Sequence, residues 1–161
     1  MGFITAVGIT IGILAGLWTY ASLSLGLLTW AAFLSWASFY AAGGKPEGLK
    51  KALLANLSGV VWGFLALQGA TLLTPAVGQA PAFGIAVAIA AAGMCWQARL
   101  ALLGFIPGAF LGCAGFVGAG FDLKAILIAL VAGGLLAYLS ELAATALVTA
   151  TAAKKPVQQA A

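Results

Sequence analysis

Three stretches of this chain leave little choice of surroundings. Residues 1 to 44, 52 to 98 and 100 to 121 contain no Asp, Glu, Lys, Arg or His. A bilayer crossing needs about 20 apolar residues, so each stretch is long enough to span. As a single helix at about 1.5 Å per residue, the first would be roughly 66 Å long, more than twice the ~30 Å hydrocarbon thickness. It must fold back, and the turn is predicted around Ser22 to Gly26. With 64% hydrophobic and only 6% charged residues, against about 25% charged in a soluble domain, the chain has no water-soluble fold available.

The fold class that follows is an all-α integral membrane protein with six crossings, near 3 to 22, 25 to 42, 50 to 73, 81 to 98, 101 to 120 and 123 to 149. Residues 1–153 form a single transmembrane domain and 154–161 a short cytoplasmic tail. Between the spans stand breakers: Gly43-Gly44-Lys45-Pro46, Thr74-Pro75 with Pro81, Arg99, and Gly120 to Asp122. The basic residues Lys45, Lys50, Lys51, Arg99, Lys124, Lys154 and Lys155 all lie at the edges of apolar runs. With both termini in the cytoplasm, only Lys124 falls outside, which satisfies the positive-inside rule. The amino terminus lacks the basic region of a signal peptide, so the first helix is expected to stay in the mature protein. The expected location is the bacterial inner (cytoplasmic) membrane.

Residues 32 to 43, AFLSWASFYAAG, align without gaps on 109 to 120, AFLGCAGFVGAG, with seven identities in twelve. A second match pairs 49 to 73 with 123 to 147, setting Gly59 on Gly133, Leu67 on Glu141 and Thr71 on Thr145. Upstream, Gly16 falls on Gly93. Each unit, about 3–74 and 80–149, holds three crossings. An odd number per unit places tandem copies upside down relative to each other, so a 3+3 inverted-topology repeat is expected, with any solute site near the midplane.

Candidate functional residues follow from that arrangement. Phe33, Phe39, Phe110 and Phe116, with Trp36, are candidates to line a pore between the second and fifth helices. Phenylalanines six positions apart differ by about 240° around a helix, so one pair lines and the other packs. Pro107 and Gly108 mark a helix break that could free carbonyls toward a polar path. Glu141 is the lone acidic residue inside an apolar run, either a proton or solute site or an interfacial carboxylate. Asn56 and Gln68 are the other polar intramembrane candidates, each able to hydrogen-bond a neighbouring helix. Cys95 and Cys113 lack metal-ligand spacing and there is no histidine. No metal, no cofactor and no catalytic residue is expected, and with three carboxylates, two of them at loop edges, an enzyme is not expected either.

The segments TWAAFLSWASFYAAGG, ANLSGVVWG and GFIPGAFLGCAGFVGAG, with the chain length, resemble the YcdZ-like family of small bacterial inner-membrane proteins of unknown function. The resemblance spans nearly the whole chain and implies an inner-membrane location, with no functional residues to carry over. The reading of first choice is a membrane channel or facilitator for a small neutral or weakly charged solute, in a homo-oligomer within the lipid bilayer. A proton-coupled secondary transporter using Glu141 and a structural or accessory membrane subunit are the alternatives. Nucleic acid is not an expected partner, because the basic residues do not form one patch.

Overall fold

The computed structural model describes residues 1–153; the tail 154–161, with Lys154 and Lys155, lies outside the described residues. Six α-helices follow in order: α1 (Phe3–Ser24), α2 (Thr29–Ala41), α3 (Lys45–Val77), α4 (Gln79–Trp96), α5 (Ile106–Gly118) and α6 (Leu123–Ala153). Two 3-10 turns, Gln97–Arg99 and Ala101–Leu103, join α4 to α5. Among the described residues four helices are long and apolar enough to cross a membrane: α1, α3, α4 and α6.

The other two differ from the expected crossings at 25 to 42 and 101 to 120. Helices α2 and α5 have 13 residues each, roughly 20 Å of helix, well short of the ~30 Å hydrocarbon layer. Their lengths are set by their ends. Gly26 (φ +66) turns the chain ahead of α2, while Pro107 sits in the first turn of α5, where its missing N–H would have no partner within the helix. Pro107 therefore starts a helix, and the irregular stretch that precedes it is the break. By contrast α3 runs straight through the predicted break at Pro75 and ends at Gly78 (φ +85). Pro81 falls in the first turn of α4, where its missing N–H costs nothing.

Both short helices close in the same way. Ala42, Gly43 and Gly44 donate to the carbonyls of Ser38, Tyr40 and Phe39, and Ala119, Gly120 and Phe121 donate to those of Gly115, Val117 and Phe116. Each turn is set back along its neighbour. The Gly44 turn meets Glu141, roughly 18 Å before the end of α6, and Phe121 shares a cleft with Leu67, roughly 15 Å before the end of α3.

Helix α2 packs mainly on α6, and α5 mainly on α3; α1 lies along α6, α4 along α3, and α2 touches α5. Met1 and Thr151 approach within 3.4 Å, so α1 and α6 run antiparallel, with the first residue beside the end of α6. The core between them is small: Ala31, Ala32, Ala52, Ala55, Ala109, Ala129 and Ala137 are all fully buried. Glycines let the backbones meet. A methyl group built on Gly59 would collide with the Ala109 carbonyl oxygen, and one on Gly133 with that of Ala32. Gly59→Ala and Gly133→Ala should each destabilise the bundle by about 1–3 kcal/mol through overpacking. Gly84→Ala, which meets open space inside α4, should not lower the unfolding temperature in detergent and should raise it slightly, because alanine is the better helix former.

Candidate functional site

The centre of the bundle is polar. Ser35 and Ser38 on α2 and Asn56 on α3 are fully buried, and Gly112 of α5 rests directly on the Asn56 backbone. With its nitrogen turned toward the acceptors, the Asn56 amide donates to Ser38 Oγ at 2.9 Å and to the Gly108 carbonyl at 3.0 Å, and its oxygen accepts from Ser35 at 3.2 Å. Three helices thus meet through hydrogen bonds as well as through the apolar contact of Ala31, Val60 and Phe116. Small side chains made this possible, because Ser and Gly on α2 and α5 let the amide reach across.

A second polar group ties α1, α2 and α6. Tyr40 and Ser140 hydroxyls are 2.7 Å apart, and Thr10 donates to the Ser140 carbonyl at 2.9 Å. Next to it, the Glu141 carboxylate accepts the Lys45 backbone N–H at 2.6 Å and lies against Gly44 (φ +65). Glu141 therefore caps the amino end of α3 from a different helix. At the other short turn Asp122 accepts the Ala125 N–H at 2.9 Å, so the start of α6 is capped by its own chain neighbour. A third group links Trp62 Nε1 to Gln97 Oε1 at 2.9 Å, and Gln97 Nε2 to Ser58 at 3.0 Å.

The phenylalanines divide by position. Phe39 and Phe116 are buried at 0% and 1% exposure, while Phe33 and Phe110 are 37% and 42% exposed. Phe39 meets Tyr40 edge-on at 5.0 Å and Phe116 meets Phe121 at 5.5 Å, geometry that aromatic pairs prefer. Phe33 leans on Trp36 at 6.0 Å, and Phe110 lines a cleft with Cys113 and Val117. Trp36 itself is buried, and its indole N–H has no partner among the described residues. Gln68 lies on an exposed part of α3 and is not brought to the Asn56 cluster.

Sequence reasoning passed over Thr10, Tyr40, Ser140, Ser58 and Gln97. Hydroxyls and amides inside apolar runs were the available signal, but their partners sit on helices up to 130 residues away.

Four membrane-length apolar helices around a core closed by internal hydrogen bonds make this a multi-pass helical membrane protein. The match to a family profile described as "Protein of unknown function (DUF1097)" covers residues 8–145, and the chain belongs to that family. It is 37% identical over 149 residues to the uncharacterized protein YahC of Escherichia coli, covering 88% of this chain and 90% of the relative. It is 38% identical over 147 residues to the inner membrane protein YcdZ of Salmonella typhimurium, covering 86% and 85%. For the inner membrane protein YcdZ of Escherichia coli the figures are 38% over 144 residues, 86% and 83%. Its membrane is the inner membrane. No solved structure matches the chain.

The cost of dismantling the central cluster measures its role in stability. Ser35→Ala and Ser38→Ala should each cost about 0.6 kcal/mol, the average for side-chain hydrogen bonds between membrane helices. Asn56→Ala strands both hydroxyls and the Gly108 carbonyl and should cost about 1–3 kcal/mol. Thermal unfolding in detergent reads all three.

Proposed function

We propose that this protein is a facilitator for a small, neutral, hydrogen-bonding solute, with its polar site at Ser35, Ser38 and Asn56. The observation that carries this reading is an uncharged cluster of two hydroxyls, one amide and one backbone carbonyl, buried where α2, α3 and α5 meet. A solute with donors and acceptors could exchange hydrogen bonds with these groups, and none of them asks for an ion. In the packed arrangement described here the cluster bonds to itself, which corresponds to a closed state.

The reading includes an inverted repeat. In its favour, α2 and α5 end on matching hydrogen bonds. The close contacts also exchange: Gly59 lies on Ala109 and Gly133 on Ala32, and both pairs are aligned between the two units. Glu47, Lys50 and Lys51 share a surface hollow with Ala101 and Leu102, so the basic start of α3 and the α4–α5 connection gather at one end, in keeping with an N-in, C-in orientation. In a protein whose native cysteines are replaced by serine, an impermeant maleimide added to intact cells should label Gln79→Cys and miss Lys50→Cys. The reverse pattern removes this orientation.

Homo-oligomer formation belongs to the same reading. Gly8, Gly12 and Gly16 lie one turn apart on α1, and a methyl on any of them would meet nothing within 4 Å. Glycine in a helix costs about 0.8–1.0 kcal/mol relative to alanine, and close helix approach is what repays small residues in a membrane. Gly12→Leu should shift the solubilised protein to a smaller species by light scattering; an unchanged mass argues against α1 as the contact.

A proton-coupled reading rests on Glu141, whose contact with the Lys45 N–H already gives it a capping role. Proteoliposomes loaded with a panel of neutral polyols and amides separate the possibilities. Flux that falls at least about tenfold in Asn56→Ala, a loss worth about 1.4 kcal/mol, and keeps its pH profile in Glu141→Gln supports the facilitator. Loss of a pH dependence in Glu141→Gln supports coupling, and no flux for any solute favours an accessory subunit.

A further inference from the structure

We infer that the cleft between α3, α4 and α5 holds one hydrocarbon chain of a bilayer lipid. The cleft has a volume of about 250 Å³ and is walled by Leu67, Phe83, Met94, Phe110, Cys113 and Phe121, with scarcely any polar surface. Its rim is apolar and open: Val87 on α4 and Phe110 and Val117 on α5 are 55%, 42% and 51% exposed. The mouth is therefore continuous with the lipid-facing surface of these two helices.

The matching region of the first half is filled. The gapless alignment of 32 to 43 on 109 to 120 sets Trp36 on Cys113 and Tyr40 on Val117. Trp36 is buried in a cluster with Phe39, Ala52 and Ala137 against which Ile11, Leu14 and Ala15 of α1 pack, and Tyr40 reaches Ser140. The second half replaces an indole and a phenol by a thiol and an isopropyl group, and the cleft stands where those rings are missing.

Three physical arguments select the occupant. Water needs two to four polar partners to stay in such a space, and the walls offer almost none. A second copy would have to insert a helix about 10–12 Å across, too wide for a cleft of this volume. From Phe83 to Met94 the cleft follows roughly 16 Å of α4, close to half the ~30 Å hydrocarbon layer, the reach of a chain from one leaflet. A chain lying there restores the dispersion contacts that an empty cleft forfeits.

The thiol of Cys113 provides a reporter inside the cleft. Purified protein carrying Cys95→Ser is delipidated in detergent, and alkylation of Cys113 by N-ethylmaleimide is timed with and without dilauroylphosphatidylcholine. The lipid should slow alkylation at least about fivefold by mass action, while glycerophosphocholine, which has the headgroup and no chains, should have no effect. Native mass spectrometry should find one phosphatidylcholine retained per protomer, and about tenfold less in Val117→Tyr, which restores the phenol of the first half. Unchanged alkylation with the lipid, equal protection by the chainless headgroup, or protection that follows protein rather than lipid concentration overturns the inference. So does equal lipid retention in a folded Val117→Tyr protein; if that variant does not fold, the Cys113 measurement decides alone.

Discussion

Where Gly59 meets the Ala109 carbonyl, Gly112 meets the Asn56 backbone and Gly133 meets the Ala32 carbonyl, the helices approach as closely as peptide groups allow. Lipid tails are as apolar as leucine, so burial of apolar side chains gives no net attraction between helices in a bilayer. Close van der Waals contact and hydrogen bonds must supply it. These crossings provide the first directly and the second indirectly, since only at such separation can the Asn56 amide reach Ser38 and the Gly108 carbonyl. They also fasten α2 and α5, which are too short to be held by spanning the hydrocarbon alone.

The same shortage of water governs the polar groups. Unpaired backbone amides and carbonyls are costly in hydrocarbon, and each short helix ends in a turn that leaves some behind. At the amino end of α3 the deficit is met by Glu141 of α6, and at that of α6 by Asp122. Serine and threonine hydroxyls return to carbonyls of their own helices: Thr19 to Ala15, Thr71 to Leu67 and Thr145 to Glu141. Such bonds hide the hydroxyl at little cost and let these residues face apolar surroundings.

Much of the outline is legible in the amino-acid sequence. Length and hydropathy predicted all-helical membrane architecture, and glycines at 26, 43, 44 and 120 marked turns that take positive φ. The 240° separation of phenylalanines anticipated that Phe39 and Phe116 would part company with Phe33 and Phe110. Hydropathy could not reveal that α2 and α5 stop at 13 residues, because the segments that precede them, residues 25–28 and 100–105, are as apolar as the helices. Nor could it find the partner of Glu141: counting along α6 gives its depth relative to Asp122 or Lys154, whereas the contact depends on where α2 ends. Asn56 was visible as a polar residue, but its partners Ser35 and Ser38 on α2 and the Gly108 carbonyl on α5 are joined to it only by the packing of three helices.

The crossed pairing of α2 with α6 and α5 with α3 bears on how the chain is made. A helix of 13 residues cannot rest stably across the bilayer by itself, and the surface that receives α2 belongs to α6, synthesised after the other five described helices. During biogenesis α2 must wait, at the lipid headgroups or shielded by the insertion machinery, until α6 emerges. Contacts of such long sequence separation are slow to form. The amino-terminal half is therefore no independent folding unit, and a nascent chain arrested before α6 presents an incompletely assembled membrane segment of the kind quality-control proteases remove.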